Sequence, residues 1–242
     1  MILTITLSIQ ACNIFSAVDK PSTDAEIYSR AITRADQKEC KEAVDLLTTI
    51  PQQERPDKYQ IALGWAYLCL GGATTKNVAT SLYNYSSASG SLSVLGTLGS
   101  NLGDVTATKQ AYIDLAISAF AYIENNTIRN VEVAIGKMVK AASILGLQAT
   151  LNGRSHLEKS FISDVTTCDA VASDCLAGCA ATASGTMSDA SVTEFTTTIN
   201  EAVTYLGSTS AAELGSLATA IKNKVAGATN IARCYIFKEI VP

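Results

Sequence analysis

The chain has 242 residues, 48% of them hydrophobic and only 17% charged, with a net charge of −4. That length supports one large domain or two small ones, and so apolar a chain forms a core rather than remaining disordered. The acidic balance and the lack of any Lys/Arg run exclude a nucleic-acid binder, which needs clustered cations to displace counterions.

Residues Met1–Cys12 read MILTITLSIQAC. The apolar run Ile2–Ile9 is too short for a membrane-spanning helix, which takes about 20 residues. It suits the apolar segment of a signal peptide. Ile9-Gln10-Ala11-Cys12 resembles the lipobox of bacterial lipoproteins, with an aliphatic residue at −3, a small one at −1 and then the cysteine; Gln10 stands at −2. The resemblance implies removal of residues 1–11 and a lipid on the Cys12 thiol. The acyl chains would hold the protein on a membrane. Asn13 after the cysteine resembles outer-membrane sorting, so the expected place is the outer membrane, facing the periplasm. Residues 12–23 then form a tether. The alternative is a buried N-terminal strand with an ordinary cysteine.

Helices follow. Ile27, Tyr28, Ala31 and Ala35 form a stripe over 24–36, with Asp24 as the expected N-cap. Cys40, Ala43, Val44, Leu47 and Ile50 do the same over 38–50, before Pro51. Tyr59, Leu63, Ala66, Tyr67 and Leu70 mark a helix over 57–70 that Gly71-Gly72 ends, and a weaker helix spans Lys76–Tyr85. Leu63-Gly64-Trp65-Ala66-Tyr67 resembles the first helix of a tetratricopeptide repeat, and Ala43, Leu47 and Ile50 its second. Asp24 and Asp57 open successive units 33 residues apart, near the ~34 of that repeat. The resemblance covers 24–85 and implies stacked helix hairpins; an ordinary antiparallel bundle is the alternative.

Residues 86–104 are rich in Gly and Ser and carry Leu92, Leu95, Leu98 and Leu102. No Gly-Lys-Ser/Thr follows, so this is no phosphate loop. A loop of this kind packs over a core or covers a cleft. Residues 105–242 are predicted to continue the same compact domain, with helices over 106–124, 127–149, from 155, over 189–206 and from Ala211 to about Lys238. The strongest stripe is Ile128, Val131, Ile135, Met138, Ala142, Leu145 and Ala149. Asp104 and Asp189 are expected caps. The fold class is all-α, an antiparallel helix-hairpin array or a helical bundle.

There are 7 cysteines. Lipid on Cys12 leaves Cys40, Cys69, Cys168, Cys175, Cys179 and Cys234 for three disulfides, which fits an oxidising compartment. Cys40 and Cys69 lie on successive predicted helices and are expected to staple them. The other four leave three connectivities open. On an unbroken helix Cys168 and Cys175 stand ~10 Å apart, too far for a bridge. Either that helix breaks, or one of these cysteines reaches Cys234. Their spacing matches no zinc or iron–sulfur pattern, so no metal or cofactor is expected.

Catalytic signatures are absent. The single histidine, His156, sits among polar neighbours at a predicted helix start, and no hydrolase, zincin or dinucleotide motif occurs. The expectation is a lipid-anchored binding or scaffold protein for a protein or peptide partner, its surface drawing on Tyr28, Tyr59, Trp65 and Tyr67. The alternative is a carrier of an apolar small molecule, gated by 86–103 and accessory to a transport system. An enzyme with an unfamiliar site ranks behind both.

Overall fold

The protein's computed structural model describes residues 23–87, 95, 98–99, 101–151, 189–207, 216 and 219. Among them are seven α-helices and no strand, the all-α class that the periodicity predicts. They are α1 (Asp24–Asp36), α2 (Cys40–Leu47), α3 (Asp57–Leu70), α4 (Thr75–Ser87), α5 (Ala107–Ala121), α6 (Asn126–Leu151) and α7 (Asp189–Gly207). The predicted helix from 155 and most of that from Ala211 lie outside the described residues. So do Cys12, His156, Cys168, Cys175, Cys179 and Cys234.

Threonine, not aspartate, caps two of these helices. Thr23 keeps extended backbone and accepts the Glu26 N–H at 3.3 Å, which makes Asp24 the first helical residue. Thr106 does the same for α5, accepting from Lys109 N–H at 3.2 Å, while Asp104 lies further out. Asp24 still favours its helix, as a negative charge in the first turn.

The stripe over 38–50 gives a shorter helix than it predicts. Lys38 adopts a left-handed φ of 65°, and the Lys38 and Glu39 N–H groups return to the carbonyls of Ala35 and Arg34. The first residues of the stripe are thus spent on closing α1. At the other end the Thr48 and Thr49 hydroxyls donate to the carbonyls of Val44 and Leu46, at 2.8 and 2.6 Å. The helix stops at Leu47, though Ile50 beyond it remains buried.

Six of the helices pack in series, each antiparallel to the next, with α3 followed by α5. α1 turns back into α2 through three residues, and both lie against α3. α3 pairs with α5: Asp57 meets Glu124 and Asn125 at one end, and Gly71 meets Ile113 at the other. α5 pairs with α6 in the same sense, from Ile117 against Gly136 to Gln110 against Ser143. α7 closes the series on α6, where Lys137 binds Glu201 at 2.6 Å. Lys140 of α6 reaches Asp114 of α5 at 2.7 Å and Glu194 of α7 at 3.3 Å. Burial works against the Lys140 charge, but the two carboxylates outweigh it and hold the ammonium above its ordinary pKa.

The core follows this order. One cluster joins Ala31, Val44, Leu47, Tyr59 and Leu63 beneath α1, α2 and α3. A larger one runs from Leu68 through Ile113, Phe120, Val139 and Leu145 to Phe195 and Ile199. Leu95, Leu98 and Leu102 of the Gly/Ser-rich segment are buried in it, and the described residues Leu95, Leu98, Gly99 and Asn101 are helical.

Cys40, at the start of α2, is joined to Cys69, near the end of α3, with Cα atoms 6.0 Å apart. The predicted staple is therefore made. Closing that loop contributes about 3–4 kcal/mol by restricting the unfolded chain. Replacing both cysteines with alanine is expected to lower stability by about that amount in urea unfolding, with secondary structure retained. A midpoint unchanged from the parent chain would contradict this.

Candidate functional site

Half of the α3 residues are buried, because α1, α2 and α5 pack against it. Lys58 is exposed, and Ile61 and Trp65 are partly buried, as are Asp57, Tyr67, Cys69 and Leu70. Spaced i, i+3 and i+7, Lys58, Ile61 and Trp65 share one face of the helix. That face lies between α1 and α6.

On the α1 side, Tyr28 and Tyr59 bring their rings to 4.9 Å, tilted by 43°. The Lys58 ammonium lies 5.3 Å from one ring centre and 5.4 Å from the other. This cation–π contact covers two rings with one exposed charge. Tyr59 itself is buried in the core, so only its ring edge and Tyr28 shape the surface.

On the α6 side, the Trp65 indole lies beside the Glu132 carboxylate, where its N–H favours the charged form. Trp65 packs edge-on against Phe120, with centroids 6.2 Å apart, and this holds the indole upright beside α6. Glu132 has one oxygen, Oε2, shut off from solvent with no hydrogen-bond partner. No described cation pairs with it: Lys137 and Lys140 point to α7 and α5 instead. Desolvation raises the Glu132 pKa, and the indole N–H only partly offsets that.

The aromatic residues expected on the surface thus divide. Tyr28 and Trp65 reach the open face, whereas Tyr67 stacks on Tyr112 of α5, with ring centres 6.5 Å apart. Glu132 is the residue that periodicity missed. Its signal is compositional: between Asn130 and Leu147 the only charged residues are Glu132, Lys137 and Lys140. An acid kept in so apolar a helix has a reason to be there.

A second hollow, of about 520 Å³, lies beside the Cys40–Cys69 disulfide, where Lys38, Glu39, Lys41 and Glu42 line it with Leu70, Gly72 and Thr74. Its charges are largely taken up, Glu39 and Glu42 by Arg34 and Lys41 by Asp45. Among the described residues no cluster of His, Cys, Asp or Glu is arranged to hold a metal ion. No described helix is long and apolar enough to cross a membrane. No known protein family, curated protein or solved structure matches the chain.

The raised Glu132 pKa sets a direction for stability against pH. A carboxyl raised in the folded state adds stability below its ordinary value of 4.5, and that stability is lost as pH rises through the folded pKa. Glu132→Gln removes the penalty while keeping an acceptor for Trp65. In thermal melts the variant is expected to match the parent near pH 4 and to melt above it at pH 7 to 8. A constant offset across that range would contradict an uncompensated carboxylate.

Proposed function

We propose that the chain is an exported, lipid-anchored envelope protein that binds a protein or peptide partner along the face shared by α1, α3 and α6. The observation carrying this reading is the stripe of Lys58, Ile61 and Trp65, flanked by the Tyr28 ring and the Glu132 carboxylate. Aromatic rings with a few placed charges are the make-up of recognition surfaces, since they bury large area at low entropic cost.

Three further observations favour it. α1 and α3 start at Asp24 and Asp57, and 57 − 24 gives the 33-residue step of a tetratricopeptide-like unit. Helices packed in series, α1 and α2 on α3, α3 on α5, α5 on α6 and α6 on α7, offer an extended surface. The Cys40–Cys69 disulfide suits an oxidising compartment beyond the inner membrane. The anchor itself rests on Ile9-Gln10-Ala11-Cys12 and its likeness to a lipobox. The carrier reading needs an apolar cavity under residues 86–103, where Leu95, Leu98 and Leu102 are instead packed into the core.

Native membranes test both halves of the proposal. Intact mass of the purified protein should lack residues 1–11, carry acyl chains and show no alkylatable thiol. A photo-crosslinking residue at position 61 should capture a defined partner there, and one at exposed Ser118 of α5 should not. An unprocessed chain with seven free thiols would end the envelope assignment. Equal capture from both positions would end the assignment of the face.

A further inference from the structure

We propose that Trp65 and Glu132 form a subsite for one cationic side chain of the partner, the ammonium of a lysine or the guanidinium of an arginine. This rests on the binding face described above and names what one end of that face recognises.

The argument begins with hydrogen-bond capacity. An ionised carboxylate has about four acceptor positions. At Glu132 the Trp65 indole N–H lies alongside the carboxylate, and Oε2 is buried with no hydrogen-bond partner. A buried polar atom without a partner is costly, and for a carboxylate the cost is greatest when no positive charge lies nearby. The lysines of α3 and α6 are engaged elsewhere: Lys137 by Glu201, Lys140 by Asp114 and Glu194, Lys58 by the two tyrosine rings. The chain thus builds half of an ion pair beneath the edge of this face, beside the indole, and leaves out the other half.

The indole decides which donor fits. Tryptophan is the strongest aromatic partner for a cation, and this one is partly exposed beside the carboxylate. A lysine or arginine side chain arriving along the face lays its apolar stem on Ile61 and the ring. Its N–H groups then take over the carboxylate as the indole turns aside. A neutral donor satisfies the oxygen but not the charge, and gains nothing from the ring.

Trp65 is the only tryptophan in the chain, so its fluorescence reports this site alone. Full-length protein is titrated with short peptides that are identical except for a central lysine, arginine or norleucine. The basic peptides should shift the emission and bind about ten-fold more tightly than the norleucine peptide. Glu132→Gln should abolish that preference without changing the circular dichroism spectrum, and calorimetry supplies the affinity where fluorescence is silent. If all three peptides bind alike, or Glu132→Gln keeps the preference, the subsite is wrong and the binding face stands. If methylammonium alone binds as tightly as the lysine peptide, the site takes a free amine and the proposal fails. If no peptide binds by either method, both the subsite and the face fail.

Discussion

The structure depends on one aromatic ring held between two glycines. Phe120 of α5 lies against Gly64 of α3 on one side and Gly136 of α6 on the other. A Cβ added at Gly64 would stand 2.6 Å from Phe120 Cζ, and one at Gly136 would stand 2.8 Å from Ile117 Cγ1. Only hydrogen fits at either place. The ring is fully buried, and burying a phenylalanine contributes ~1.5–3 kcal/mol. More consequential is what the close approach does to spacing, because it brings α3 and α6 near enough to touch across the end of α5.

The candidate site is a result of that approach. Trp65 adjoins Gly64, and Glu132 lies one helical turn before Gly136. Where the two helices close on Phe120, the indole and the carboxylate are therefore brought together. Asp57 adds to this by accepting the N–H groups of Glu124 and Asn125 at 2.7 and 3.0 Å, tying the start of α3 to the turn before α6. Asn125 in turn caps α6 through the N–H groups of Thr127 and Ile128. The disulfide holds the other flank, and the carboxylate pairs of Lys140 hold α5, α6 and α7 in register.

Much of this was legible in the sequence where a side-chain pattern alone decides the outcome. The stripes of α1, α3, α5 and α6 place helices within a few residues of their observed ends. Boundaries failed where local hydrogen bonds compete with periodicity. Lys38, a residue with no special liking for left-handed backbone, closes α1, and two threonine hydroxyls end α2 early. The Gly/Ser-rich segment hid its helical residues because composition masks the Leu95, Leu98, Leu102 spacing. α6 is buried on more sides than its apolar stripe implies, since α5 and α7 cover Val133, Ala134 and Val139 as well. Glu132 was invisible for a related reason: its importance comes from a partner on a helix 67 residues earlier, the Trp65 that no spacing rule connects to it.

The most direct measurement is a double-mutant cycle between Gly64 and Phe120, read by urea unfolding. Gly64→Ala should cost about 1–3 kcal/mol through overpacking, and pairing it with Phe120→Leu should recover part of that loss. The coupling energy is then at least ~1 kcal/mol, as for residues in direct contact. Gly64→Ala with unchanged stability, or two substitutions whose effects simply add, would show that the ring and the glycine do not meet. The juxtaposition of Trp65 with Glu132 would lose its basis with them.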